Sequence, residues 1–159
     1  MSTTTTTTTT TPRYDLYIAT ADREDNHPDH WVLVLTRMFQ DLSSCTIYHA
    51  GCCPRDNYYR AVEEDEDAPS WGVRQKWFIG ILEQSGREVL EEAAKTVEIQ
   101  DCQRYILRIV EILENKEFVP LGSRARHASR LDGEQDWAYD NHAYWFGEEA
   151  AREKFSQIR

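Results

Sequence analysis

The sequence predicts an α+β fold, an antiparallel β-sheet packed against helices, and three observations predict it. Short apolar or partly alternating runs of strand length recur at residues 14–20, 31–36, 45–49 and 76–82. A turn-forming cluster, Asp41 to Ser44, separates the second run from the third at hairpin spacing. Helical periodicity comes later and is plainest over residues 102–115, where Tyr105, Ile106, Ile109, Val110 and Leu113 follow at three- and four-residue steps.

Taken in order, Ser2 and the threonine run to Thr11 have too few apolar groups to pack and are expected to be a disordered tail, closed by Pro12. Residues 14–20 form the first strand and 21–29 a polar loop. The run from Trp31 to Thr36 is apolar almost without interruption, which fits a central strand covered on both faces. Residues 45–49 form its hairpin partner, ended by Gly51. The acidic run 63–67 lies between Val62 and Pro69 and is expected to be a solvated loop, because five adjacent carboxylates cannot be buried together. Residues 76–82 give a further strand, and 85–95 a helix with glutamates early and a lysine late, as the macrodipole favours. Asp101 supplies the N-cap of the helix from Cys102, and Pro120 with Gly122 marks its exit. Beyond lie a basic patch (Arg124, Arg126, His127, Arg130), an aromatic-rich segment 137–146 and a terminal helix over 147–157. The expected organisation is a tail 1–12, an α+β domain 13–122 and a basic, aromatic extension 123–159.

Bulk composition narrows the function. With 159 residues, 40% of them hydrophobic, the chain can bury one core. Acidic residues outnumber basic ones 28 to 18, a net charge of -10, so nucleic acid and anionic membrane are not expected as partners. No run approaches the roughly 20 apolar residues of a membrane span, and no apolar segment of the signal-peptide kind is present. A cytoplasmic protein is expected, with Cys45, Cys52, Cys53 and Cys102 as thiols.

The residues that carry chemistry are far apart in sequence. Cys102 begins a helix, where unpaired N–H groups and the helix dipole stabilise a thiolate; it also falls on the apolar stripe, where a cysteine serves equally as a small core residue. Asp101 opposes activation if its charge faces the sulfur. His30 heads the central strand and His49 ends its neighbour, so a hairpin puts both imidazoles on one side of the sheet, one as base and one to orient it. His27 and His30 flank Pro28 in a loop and fix no common face, Cys52 and Cys53 are adjacent, and no phosphate-binding glycine loop occurs; no metal or cofactor is expected. Arg124, Arg126 and Arg130 are candidates to clamp a carboxylate or phosphate of a small substrate, or simply to balance an acidic surface. Trp31, Tyr105 and Trp137 are further candidates for substrate contact. Trp137, Tyr139, Tyr144 and Trp145 suit an aromatic lid, and suit packing of the terminal helix as well.

His30-Trp31-Val-Leu-Val-Leu35, Thr46-Ile-Tyr-His49 and Asp101-Cys102-Gln-Arg-Tyr105, in this order, resemble the circularly permuted papain-like fold of the lecithin retinol acyltransferase group and related thiol hydrolases. That group reads His-Trp-Ala on a strand and later Asn-Cys-Glu-His-Phe at a helix start. The pattern is closer to small uncharacterised fungal proteins with His-Trp-Ala-Leu-Phe, a Tyr-His strand and Asn-Cys-Gln-Asp-Trp, and covers residues 14–120. The resemblance implies Cys102 as nucleophile, His30 as general base, His49 as orienting group, and a thiol hydrolase or acyltransferase acting on an amide, ester or thioester. Asp101 stands where the group has asparagine, and Arg104 and Tyr105 also depart from it. A non-catalytic binding module of the same fold, serving a fungal biosynthetic pathway, and an acid–base enzyme using His30 and His49 are the alternatives.

Overall fold

The computed structural model describes residues 10–21, 30–38, 40–53, 57–128 and 149. Within them run β1 (Arg13–Ala21), β2 (His30–Arg37), β3 (Cys45–Cys53), β4 (Asn57–Glu66), α1 (Ala68–Trp71), β5 (Val73–Glu83), α2 (Gln84–Thr96), α3 (Cys102–Asn115) and α4 (Ser123–Ala128). The strands form one antiparallel sheet in the order β4-β3-β2-β1-β5, an α+β arrangement.

The uninterrupted apolar run of β2 follows from its place at the centre. Successive side chains point to opposite faces. Trp31, Leu33 and Leu35 meet Leu90 of α2 and Ile106, Ile109 and Leu113 of α3, whereas Val32 and Val34 meet Ala19, Ile47 and Ala68 on the other face. Both faces are covered, so every residue from Trp31 to Thr36 is buried. Helix α3 joins by its apolar stripe, and Asp101 caps it, accepting the Arg104 N–H at 2.7 Å. The Tyr105 hydroxyl donates to Ala94 O at 2.5 Å, satisfying a carbonyl in the last turn of α2 and tying the helices together.

Two expectations are overturned. Gly51 does not end β3 but lies within it, opposite Tyr59; a Cβ there would sit 2.1 Å from Tyr59 Cζ, so glycine is present because an aromatic ring occupies the space. The acidic run is not a loop either, since its residues through Glu66 belong to β4, the outer strand next to β3. An edge strand tolerates carboxylates because half its side chains face water, and they deter pairing with another chain. A register shift opposite Cys45 and Ile47, with Asp65 at φ 55, lets the strand bulge there. Asp67 then caps α1 through the Ser70 N–H, and Gly72 closes it in the left-handed conformation at φ 99.

Beyond Gly122 the chain turns into α4, where Ser123 and His127 are buried. Glu114 of α3 accepts the Gly122 N–H and, at 3.2 Å, that of Arg124, so α4 is held to α3. The expected tail, the 22–29 loop, the aromatic segment and the terminal helix fall outside the described residues, apart from Thr10 and Thr11 of the tail and Glu149. No helix among the described residues is long and apolar enough to cross a membrane.

Candidate active site at the parting of the central strands

The ladder between β2 and β3 covers only Thr36↔Cys45 to Leu33↔Tyr48. Both strands continue past this point. His30 stays paired with Ala21 of β1, and β3 stays paired with β4 as far as Cys53↔Asn57. Each central strand is therefore held by its outer neighbour, while no ladder pair joins His30-Trp31-Val32 to His49-Ala50-Gly51 among the described residues. Arg60 of β4 donates to Val97 O at 2.6 Å and anchors the segment that leads into α3 at this end of the sheet.

Helix α3 brings Cys102 to this end of β2. The Trp31 N–H is directed at the sulfur, as are the N–H groups of Cys102 itself and Gln103, and all three favour the anion. Burial outweighs them. Desolvation, reinforced by the Asp101 carboxylate, pushes the thiol up to about 12, so Cys102 is a thiol at neutral pH. The residue as a whole keeps partial exposure, but the desolvation falls on its sulfur.

Alternation along β2 and β3 puts His30 with Val32 and His49 with Ile47, on the face that also carries Trp71 of α1. His30 Nε2 is 3.4 Å from His49 Nδ1, with the rings edge to face at 5.5 Å. His49 is fully buried, and its Nε2 lies 3.3 Å from Glu63 Oε1. The Trp71 indole N–H donates to the other oxygen of the same carboxylate, and Tyr59 stands edge-on to His49 at 6.3 Å. The four side chains form one line: His30, His49, Glu63, Trp71.

The remaining sequence candidates sit elsewhere. Trp31 is 3% exposed and Tyr105 1%, both packed in the core between sheet and helices, and the Tyr105 hydroxyl is spent on Ala94 O. They are packing residues here. Arg124 and Arg126 lie on α4; Arg124 lines a cleft of about 440 Å³ with Glu98, Gln100, Arg104, Arg108 and Glu111, and its Nε is 3.9 Å from Glu111 Oε2, which Arg108 also engages. Three of its charges, Arg108, Arg124 and Glu111, are engaged with one another, and Arg104 is engaged with Asp101. Trp137 lies outside the described residues. Among the described residues, no group of three His, Cys, Asp or Glu side chains is placed to hold a metal ion.

Glu63 and Trp71 were missed by sequence reasoning. The usable signal was register: if β4 pairs with β3 so that Ala61 faces His49, Glu63 and Tyr59 share that face by alternation. No protein-family model, no curated protein and no solved structure matches the chain.

Proposed function

We propose that this chain is a thiol hydrolase or acyltransferase of the permuted papain-like kind, acting on an amide, ester or thioester of a small molecule. Cys102 Sγ bonds to the acyl carbon as His30 takes the thiol proton, and His30 returns that proton to the departing amine, alcohol or thiol. Water or a second acceptor then releases the acyl group and restores the thiol. His49 orients His30. The N–H groups at the start of α3 are the donors available to the oxyanion.

One observation carries the reading. The Cys102 sulfur receives the N–H of Trp31, the residue after His30, where β2 and β3 part and His30 is hydrogen-bonded to His49. A core cysteine needs neither a sheet that opens beside it nor two aligned imidazoles. The elevated thiol favours a second reading, a non-catalytic binding module in which Cys102 only packs.

Trapping the acyl-enzyme separates the two. The protein is mixed with p-nitrophenyl acetate and its Cys102 peptide analysed by mass spectrometry, alongside Cys102→Ala and His30→Ala. Acetylated Cys102 and nitrophenol release that vanishes in both variants are expected. Release by Cys102→Ala at the wild-type rate would overturn the proposal, and if His30→Ala alone were inactive the histidines would be an acid–base pair with Cys102 structural.

A further inference from the structure

We infer that Glu63 and Trp71 are positioning residues that together decide which nitrogen of His30 carries its proton. Donors and acceptors along the line fix the proton positions. An indole N–H donates and cannot accept, and that of Trp71 is given to Glu63 Oε2. The second carboxylate oxygen faces His49 Nε2 at 3.3 Å and accepts, so the proton of neutral His49 is on Nε2. His49 Nδ1 then holds a lone pair, and His30 Nε2, 3.4 Å away, must donate to it. His30 keeps its own lone pair on Nδ1. That is the nitrogen a base acting on Cys102 would use, and it is set by a carboxylate one ring away.

The indole makes the pair specific. In Glu63→Gln the side chain has one accepting and one donating end. Trp71 can only donate, so the amide oxygen stays with the indole and the NH2 turns to His49. His49 Nε2 becomes an acceptor and its proton moves to Nδ1; His30 Nε2 becomes an acceptor in turn, and the His30 proton moves to Nδ1. Each ring keeps one proton, so charge is unchanged. The base nitrogen is blocked although no atom of the dyad has been replaced. Removing the indole N–H as well, in Glu63→Gln/Trp71→Phe, frees the amide to rotate and offer its oxygen to His49, which restores the original tautomers.

The rate consequence rests on the thiol-catalysis reading, whereas the tautomer assignment does not, and the test keeps them apart. The full chain with ¹⁵N-labelled histidine is studied by long-range ¹H–¹⁵N correlation in mildly alkaline solution. Nε2–H signatures are expected for His30 and His49 in the wild type, Nδ1–H in Glu63→Gln, and Nε2–H again in the double variant. Glu63 has a third of its side-chain surface exposed, so the isosteric glutamine leaves the fold intact. Unchanged tautomers in Glu63→Gln would overturn the inference. In parallel, nitrophenyl ester turnover should fall on the order of 10³- to 10⁴-fold in kcat with KM little moved, as a wrong-tautomer base does. The double variant should recover to within about tenfold of wild type, the remainder reflecting a neutral acceptor in place of a charged one. Glu63→Gln turning over at the wild-type rate with its tautomers switched would refute His30 as the base and leave the tautomer assignment standing. If the wild type shows no Cys102-dependent turnover, the catalytic reading fails and the spectra alone decide the tautomer inference.

Discussion

Asp101 is the most direct handle on Cys102, because changing it to asparagine separates charge from capping. Asparagine caps a helix about as well as aspartate, so the bond to the Arg104 N–H is retained. What disappears is a negative charge that pushes the thiol up, leaving burial as the remaining upward cause against three N–H groups. The rate of reaction with a small aromatic disulfide reports the result. With a thiol at about 12 rather than the ordinary 9.0, the thiolate fraction at neutral or mildly alkaline pH is about 10³-fold lower. The more basic thiolate regains roughly 20-fold in nucleophilicity through a Brønsted slope near 0.45. Folded Cys102 should therefore react about 50-fold more slowly than the same cysteine in urea-unfolded chain, read at the peptide level by mass spectrometry. Each tenfold gain in thiolate that Asp101→Asn produces should accelerate it by about 3.5-fold on the same slope. A folded wild-type rate equal to or above the unfolded one would refute the claim that burial dominates, and a slower Asp101→Asn would refute the sign assigned to Asp101.

Burial also predicts alkaline weakness. A Cys102 thiol raised from 9.0 to about 12 stays protonated in the fold while the unfolded chain ionises, so its contribution is intact below pH 9 and is lost as pH rises through 12; about 4 kcal/mol is involved. Urea titrations of wild type and Cys102→Ala should draw together by that amount across the window, and parallel curves would count against it. Cys45, raised to about 11, and Tyr105, raised to about 12, act in the same direction in both proteins. Gly51→Ala forces the Tyr59 ring away and should cost about 1–3 kcal/mol while speeding diethyl pyrocarbonate modification of His49; unchanged reactivity would mean that Tyr59 does not shield it. Tyr105→Phe strands the Ala94 carbonyl and should destabilise by about 1–3 kcal/mol in denaturant without altering the Cys102 disulfide rate, since its role is to join α2 to α3.

The parts of the fold legible in sequence were those in which local pattern and burial agree. The run Trp31–Thr36 reads as central because it is apolar on both alternating faces, and α3 reads as a helix because its stripe and its cap coincide. The hairpin also made a His30–His49 encounter legible, since the register that pairs Leu33 with Tyr48 carries both imidazoles to one face, although β3 runs on past His49. Glu63 was illegible for a different reason. Charge density alone says solvent, but an edge strand with a bulge satisfies its backbone while Glu64 and Asp65 stay exposed and Glu63 turns toward a buried imidazole. Gly51 misled in the same way: its chain-breaking tendency is local, whereas the Tyr59 ring that requires it arrives from another strand. The direction of the Trp31 N–H toward Cys102 follows from no local pattern, because it exists only where β2 and β3 separate.

The proposed chemistry must reconcile a sulfur that resists ionisation with a base aligned beside a carboxylate. If Cys102 ionised before attack, its thiolate would have to persist in a desolvated site next to Asp101, and the three N–H groups do not offset that cost. The negative charge of Glu63 acts at the other end of the line. On the proposed reading it favours, through His49, the positive His30 that would form once the thiol proton has moved. Stabilisation is thus withheld from the resting thiol and delivered as the proton transfers, which is what a general-base mechanism needs and a preformed ion pair does not. Asp101→Asn distinguishes the two on the proposed reading. Where proton transfer accompanies attack, the disulfide reaction accelerates while acyl turnover changes little, because the nitrophenyl ester reaction never draws on free thiolate. A rise of both rates in step would instead mean that the thiolate forms first and that the Glu63 line serves only to hold the imidazoles in place.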